Sequence, residues 1–137
     1  MSARSTPLIL VADDDHAVMN IVESMLKRKG WQVLRAQDGV QCVDLYRQHI
    51  SEIDLVITDA AMPQLDGFKV IQMIRSINAG IPILLMSGYP KELLEEGDDL
   101  SQVSGFLAKP FTMGALYKQI KTLLDSSVNQ SGETQQP

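Results

Sequence analysis

Polar side chains follow four apolar runs of this sequence, at the point where each run ends. Three consecutive acids close the first run, another acid closes the second, and a hydroxyl and an ammonium close the third and fourth. Carboxylate oxygens bind divalent cations, and an ammonium can stabilise a phosphoryl group, so together they suit metal-assisted phosphoryl transfer. The residues are Asp13, Asp14, Asp15, Asp59, Ser87 and Lys109.

These side chains can meet only if the four runs are parallel strands of one sheet. The apolar runs alternate with segments of helical periodicity, which is typical of a parallel sheet covered by helices on both faces. Ligands of such open sheets bind at the carboxyl ends of the strands, where the strand order reverses. The sequence predicts strands at about 8–13, 31–36, 54–58, 82–86 and 104–108.

Helix boundaries are indicated by capping residues and by glycine. Gly30 ends the first helix, and Asp38 opens the second. Asp66 and Thr112 are good N-caps for the third and the last helices. A short acidic helix is predicted at 91–96. The last helix is expected to bury Met113, Leu116, Tyr117, Ile120 and Leu123.

The composition limits the class of protein. The 137 residues suffice for one domain with a sizeable core, and a net charge of -5 disfavours general affinity for nucleic acid or anionic membranes. The single cysteine, Cys42, excludes an internal disulfide and fits a reducing compartment. No apolar run approaches the roughly 20 residues of a membrane span. We expect a cytoplasmic protein with an N-terminal extension at 1–6, a folded domain at 7–125 and a disordered polar tail at 126–137.

Four short motifs carry the residues that could do chemistry. They are Leu-Val-Ala-Asp-Asp-Asp (10–15), Asp-Leu-Val-Ile-Thr-Asp with Met-Pro and Asp-Gly following (54–67), Leu-Met-Ser-Gly-Tyr (85–89) and Phe-Leu-Ala-Lys-Pro-Phe (106–111). In this order and spacing they resemble the receiver domain of two-component response regulators, over about residues 7–125. The resemblance implies a doubly wound, flavodoxin-like α/β fold with five parallel strands in the order 2-1-3-4-5.

The resemblance assigns a role to each acidic residue. Asp59 corresponds to the phosphoacceptor, whose carboxylate attacks phosphorus and forms an acyl phosphate. Asp14, Asp59 and the backbone carbonyl of Ala61 correspond to direct ligands of a Mg²⁺ ion, which Asp13 contacts through water. Without a metal ion, the clustered carboxylates should raise one another's pKa. Asp15 is expected only to cap the first helix or to lie beside the metal ligands.

The resemblance also gives roles to residues on the fourth and fifth strands. Ser87 would hydrogen-bond a phosphoryl oxygen, and Lys109 would pair with the phosphoryl group and with Asp59 before it. The Lys109-Pro110 bond is expected to be cis. Phe106 stands at an aromatic switch position, whose ring turns inward when Ser87 moves, but simple packing in the core explains this residue equally well.

Two further positions tune hydrolysis of the acyl phosphate in such domains, by helping or blocking an attacking water. Ala61 offers no side-chain hydrogen bond, and Tyr89 is bulky. Spontaneous dephosphorylation is therefore expected to be slow, taking minutes or longer.

The resemblance implies a signalling switch that catalyses only its own phosphorylation and slow dephosphorylation. A sensor histidine kinase or a histidine phosphotransfer protein would donate the phosphoryl group and dock on the first helix. The modified domain would present a changed surface, formed by the helix at 91–96, the fifth strand and the last helix, to a downstream protein that the sequence does not identify. A monomer or a phosphorylation-dependent dimer is expected, with no direct binding of nucleic acid because no output domain follows residue 125.

Three alternatives stay open at this point. The chain could be a receiver domain of a hybrid histidine kinase rather than a stand-alone regulator, although Met1 and the polar tail favour the latter. It could recognise partners without being phosphorylated. It could also be a haloacid dehalogenase-type phosphatase, since Asp13 and Asp15 match the two acids of that motif. Ala17 fails the motif's last position, and the chain is short for that fold with a substrate cap.

Overall fold

Five parallel strands form a single sheet in the computed structural model, which describes residues 6–62, 64–88 and 100–134. The strands are β1 (Leu8–Ala12), β2 (Gln32–Ala36), β3 (Leu55–Asp59), β4 (Ile83–Ser87) and β5 (Gly105–Ala108). Their order in the sheet is β2-β1-β3-β4-β5, and all neighbouring pairs are parallel. The predicted fold, a doubly wound sheet of the flavodoxin-like type, is confirmed.

The described residues include four α-helices. They are α1 (His16–Arg28), α2 (Gly39–Gln48), α3 (Gly67–Ile77) and α4 (Met113–Thr134). A 3₁₀ turn, Leu100–Gln102, precedes β5. The helix predicted at 91–96 lies outside the described residues, so α4 is the last of the predicted helices. None of the helices in the described ranges is both long and apolar enough to cross a membrane.

Side-chain caps begin the helices where the sequence predicts them. Asp38, Asp66 and Thr112 each accept a hydrogen bond from the backbone N–H three residues later, at 2.8 to 3.0 Å. These bonds satisfy amide groups that have no partner within the helix. At the other end of α1, Gly30 has a φ of 82°, a left-handed conformation that glycine adopts without strain.

Two apolar layers cover the sheet, one on each face. One layer includes side chains of α2 and α3, and the other includes side chains of α1 and α4. Neighbouring residues of β1 enter opposite layers, Leu10 the first and Ile9 the second, and every residue of β1, β3 and β4 is buried. A shift of one residue in the pairing of two strands would move every side chain of one strand to the opposite layer. The packing of both layers therefore fixes the register of the strands and, with it, the position of their ends.

The apolar stripe of α4 is shorter than predicted. Leu116, Ile120 and Leu123 are buried against the sheet, and Tyr117 is half-buried. Met113, one turn earlier on the same stripe, is 37% exposed, so the prediction that it faces inward was wrong. The apolar pattern of α4 thus begins one turn before the first residue that is buried against the sheet.

The end of α4 also differs from the sequence prediction. The helix extends to Thr134, whereas a disordered polar tail was predicted at 126–137. Residues 126–134 contain no proline, so nothing in their sequence removes a backbone donor and stops the helix. The domain boundary at residue 125 stays a prediction.

Tyr117 joins α4 to the end of α1. Its hydroxyl donates to the carbonyl of Met25 at 2.7 Å. Met25 lies in the last turn of α1, where carbonyls lack partners within the helix. The Lys29 ammonium lies 4.6 Å from the centre of the tyrosine ring, and the Trp31 ring meets the same ring edge-on at 6.2 Å. These contacts fix α1 and α4 relative to each other on one face of the sheet.

Candidate functional site

The carboxyl ends of the strands bring the predicted polar residues to one edge of the sheet. β1 and β3 are neighbours, and the last residue pair of their register lies directly before Asp13 and Asp59. Ser87 ends β4, and Lys109 directly follows β5. The peptide bond between Lys109 and Pro110 is cis, as the family resemblance implies.

Three carboxylates converge at this edge. One oxygen from each of Asp13, Asp14 and Asp59 lies within 4.8 Å of the other two. Asp13 and Asp59 are buried, and Asp14 is exposed to solvent. Two oxygens on opposite sides of a Mg²⁺ ion would be roughly 4.2 Å apart, since each binds at about 2.1 Å. The cluster therefore offers the donor type that such an ion prefers, gathered within a distance close to that spacing.

Lys109 connects the two buried acids. Its ammonium nitrogen lies 2.7 Å from Asp13 Oδ2 and 3.1 Å from Asp59 Oδ1. The pairing with Asp59 was predicted, but the shorter contact with Asp13 was not. β5 and β1 are separated in the sheet by β4 and β3, so strand adjacency gave no signal for this contact.

Asp13 is held from two directions. Its Oδ1 accepts a hydrogen bond from the backbone N–H of Asp15 at 2.9 Å, while its Oδ2 accepts the bond from Lys109. Its own N–H donates to the Ala36 carbonyl at the end of β2, at 3.2 Å. Asp15 also caps α1 by accepting bonds from the amides of residues 17 and 18, so its predicted capping role is confirmed.

The surroundings of Asp59 raise its pKa from 3.8 to about 6. Burial is the largest cause, and repulsion from Asp13 adds to it, while Lys109 partly offsets both. Burial also lowers the pKa of Lys109, but its hydrogen bonds and charge interactions with Asp13 and Asp59 outweigh that effect, so the net shift is upward. Lys109 thus stays protonated beside carboxylates that outnumber it. The predicted increase in pKa is confirmed for Asp59.

The backbone around Asp59 is fixed by hydrogen bonds on both sides. Thr58 Oγ1 donates to the Asp59 carbonyl at 3.1 Å, and the Ala60 N–H donates to the Met86 carbonyl of β4 at 2.8 Å. The N–H of Gly67, which begins α3, donates to the Ala60 carbonyl at 3.0 Å. The loop from 60 to 66 is therefore closed at its base, directly after the candidate nucleophile.

The remaining predicted residues lie around this centre. Ser87 is buried, and its carbonyl accepts from the Lys109 N–H at 2.7 Å. Phe106 is half-buried and packs against the layer that contains α2 and α3, in agreement with the core interpretation; its switch role stays a prediction. Ala61 is exposed, and the ligand role of its carbonyl stays a prediction as well. Tyr89 lies outside the described residues.

An apolar groove borders the cleft on the side of α1. Its volume is about 320 Å³, and Ile21 on its wall is 54% exposed. Lys109 belongs to both the groove and the cleft. The lining residues are Val18, Ile21, Met25, Lys109, Pro110 and Phe111.

Comparison with known proteins agrees with this geometry. The family model for the response regulator receiver domain matches residues 9–121. The response regulator MprA of Mycobacterium sp. (strain KMS) is 34% identical over 116 residues, which cover 85% of this chain and 50% of that protein. The sensor kinase CckA of Brucella abortus (strain 2308) is 29% identical over 121 residues, covering 88% of this chain and 13% of the kinase.

A solved structure with the same fold contains a metal ion. It is the receiver domain of sensor histidine kinase PA1611 from Pseudomonas aeruginosa PAO1, with a magnesium ion coordinated in its active site cleft. The TM-score is 0.77 at 24% identity, covering 88% of this chain and 99% of that domain. The chain thus spans half of MprA and a small part of CckA, and the match over most of its length leaves the dehalogenase-type alternative without support.

Proposed function

Because this chain belongs to the response regulator receiver domain family of two-component systems, we propose that it is a switch phosphorylated on Asp59 with the help of Mg²⁺. The observation that carries the proposal is the convergence of three carboxylates and one ammonium at the sheet edge, with Lys109 Nζ 3.1 Å from Asp59 Oδ1. A capping role for a single aspartate would not require this gathering of charge from separate strands.

The proposed chemistry is attack by a carboxylate on phosphorus. An oxygen of Asp59 forms the new bond to phosphorus, while the bond from phosphorus to the donor's imidazole nitrogen breaks and its electron pair returns to the ring. With a pKa of about 6, Asp59 is mainly ionised at pH 7 and therefore available as a nucleophile. Lys109 lies where its ammonium can move from the carboxylate to the arriving phosphoryl oxygens.

The metal ligands in this proposal are Asp14, Asp59 and the Ala61 carbonyl, with Asp13 acting through water. Both oxygens of Asp13 already accept hydrogen bonds, whereas the exposed Asp14 carboxylate is open to an ion. A bound Mg²⁺ would neutralise the repulsion between the acids and a polyanionic donor. The magnesium ion in the PA1611 receiver domain supports the choice of Mg²⁺ as the ion.

We infer that the donor is a histidine kinase or a histidine phosphotransfer protein that docks in the groove along α1. The groove is apolar, and one of its walls is Lys109, so a protein bound there would present its imidazole close to Asp59. The similarity to a sensor kinase and to a response regulator supports this class of partner.

The proposed output is a changed surface around β5 and α4. Ser87 would bond a phosphoryl oxygen, and movement of this buried side chain would let Phe106 repack inward. Ala61, together with Tyr89, would leave hydrolysis slow. A lifetime of seconds for the phosphorylated protein in Mg²⁺ buffer, with no phosphatase present, would contradict the last point.

The experiment that tests the proposal is mass spectrometry after treatment with acetyl phosphate. The wild-type protein should gain one phosphoryl group with Mg²⁺ present and none with a chelator. Asp59→Asn should gain none, because an amide cannot form the acyl phosphate. Asp44→Asn, which changes an exposed acid on α2, is the matched control and should react like the wild type. Stoichiometric phosphorylation of Asp59→Asn would reject Asp59 as the acceptor.

A further inference from the structure

Gly39 lies outside the carboxylate cleft but contacts the loop that leaves it. It is the first residue of α2 and is buried. A Cβ atom added there would overlap the Leu65 carbonyl oxygen, and it would lie 2.9 Å from Leu65 Cβ and 2.8 Å from Val70 Cγ2. Its φ is negative, as in any helix, so the backbone conformation does not require glycine. The requirement comes from the close approach of the loop.

The segment that contains Gly39 is itself held firmly. Asp38 caps α2 by accepting from the Gln41 N–H at 2.8 Å, and the Gln41 side chain accepts from the Gln37 N–H at 2.7 Å. Just before them, the Ala36 carbonyl accepts from the N–H of Asp13 at 3.2 Å. Residues 36–39 therefore contact the backbone of Asp13 on one side and, on the other, the loop that follows Asp59.

The described residues of the loop from 60 to 66 are held at both ends. Its base is closed by the bond from Gly67 N to the Ala60 carbonyl, and Met62 is buried in the core. A Cβ atom on Gly67 would overlap the Asp59 carbonyl oxygen, so α3 also approaches this loop as closely as a glycine allows. Because Ala60 and Met62 on one side of the segment and Gly67 on the other are held, a displacement of Leu65 is expected to shift the backbone of Ala61 as well.

We propose that Gly39 is a positioning residue for the phosphoacceptor site: its missing side chain lets α2 hold the 60–66 loop where Asp59 and the Ala61 carbonyl can serve one metal ion. The inference rests on the proposed function for the role of the ion, but the position of the loop is a property of the protein itself. Gly39 touches neither the ion nor the phosphoryl group and acts only through the loop.

The variant Gly39→Ala tests this inference, with Gly114→Ala as the matched control. Both glycines lie in the first turn of a helix, but a Cβ atom on Gly114 would meet nothing closer than Thr112 Oγ1 at 3.9 Å. In metal-free Gly39→Ala, the backbone amide resonances of the 60–66 loop should shift relative to the wild type. Its dissociation constant for Mg²⁺, measured by calorimetry, should rise at least tenfold. Gly114→Ala should change neither quantity.

A loss of stability must be separated from a displacement of the loop. Val70→Ala shortens a core side chain that faces Gly39 and leaves the residues of the loop unchanged, so it should lower the unfolding midpoint and leave Mg²⁺ affinity within twofold of the wild type. Combining it with Gly39→Ala relieves the side-chain overlap but not the overlap with the Leu65 carbonyl. The double variant should fold better than Gly39→Ala and still bind Mg²⁺ weakly.

Each outcome decides the inference. Unshifted loop amides with unchanged Mg²⁺ affinity in Gly39→Ala would overturn it. If Gly39→Ala does not fold, the double variant carries the test, and failure of both to fold would also overturn it, because Gly39 would then serve folding and not the loop. If the wild-type protein binds no Mg²⁺, the proposed function fails, while the amide shifts in the metal-free variants still report on the loop.

Discussion

Two half-buried cations at opposite ends of the sheet have different surroundings. At the carboxyl ends of the strands, Lys109 lies among carboxylates that outnumber it. At the amino ends of β4 and β5, the guanidinium of Arg75 on α3 donates to the carbonyls of Gln102 (3.0 Å), Ala79 (3.2 Å) and Ile81 (2.5 Å), and to Ser104 Oγ (3.3 Å).

The difference lies in what each arrangement leaves unsatisfied. Neutral acceptors surround the Arg75 guanidinium and fix α3 to the segments that lead into β4 and β5. At the other end, one ammonium does not compensate the acids, and the pKa of Asp59 rises accordingly. The first arrangement holds the fold together, whereas the second leaves negative charge that a cation and a phosphoryl group can use.

The largest expected effect comes from removing the cation at the acidic end. Lys109→Met should slow phosphorylation of Asp59 by acetyl phosphate on the order of 100-fold or more, since one preorganised donor to a developing charge contributes about 3 kcal/mol. The rate is measured by mass spectrometry at fixed Mg²⁺. Lys121→Met, which removes an exposed lysine paired with Asp125 at 3.5 Å, should change the rate less than twofold. A similar rate for Lys109→Met and wild type would show that the ammonium takes no part in the transfer.

The next effect should appear at the opposite end of the sheet. Arg75→Met should lower the free energy of unfolding by roughly 1 to 2 kcal/mol, because partly buried carbonyls lose a charged donor. The change is measured by urea denaturation. Arg47→Met, in the last turn of α2 and exposed, is the control and should stay close to the wild type. At temperatures where Arg75→Met is folded, its phosphorylation rate should match the wild type, and a large loss of rate would mean that the two ends are not separate.

The smallest effect concerns the pH dependence of stability. The pKa of Asp59 is raised from 3.8 to about 6 on folding, so its contribution to stability is fully present below about pH 4 and is lost as the pH rises through 6. In metal-free buffer above pH 7, Asp59→Asn should therefore be more stable than the wild type, by roughly 1 to 3 kcal/mol. The gain should disappear towards pH 4. Urea denaturation across this range measures it, and Asp44→Asn should show no such gain.

Much of the fold follows from local signals in the sequence. Buried runs of five residues separated by capped helices predict the parallel sheet, and Asp38, Asp66 and Thr112 mark helix starts that the structure confirms. The site is partly local too, because a residue that ends a parallel strand must lie at the ligand-binding edge. For this reason the sequence predicts that Asp13 and Asp59 share one edge, while the resemblance to receiver domains implies that their strands are neighbours.

What the sequence does not reveal are contacts between elements that are distant in the chain and in the sheet. Lys109 reaches Asp13 across two intervening strands, and Arg75 binds carbonyls, which every residue carries and no pattern marks. The approach of Gly39 to Leu65 depends on how α2 packs, which periodicity does not specify. The exposure of Met113 depends on how far the sheet extends beneath α4.

The contact between Tyr117 and α1 has a consequence for recognition. Met25 lines the groove with its side chain and accepts the tyrosine hydroxyl with its carbonyl. The shape of the groove in which we propose that a phosphate donor docks thus depends in part on the hydroxyl of Tyr117 on α4, which takes no part in the carboxylate cluster. Loss of the hydrogen bond from Tyr117 to Met25 would therefore change the shape of the proposed docking groove, while every chemical group of the cleft stays in place.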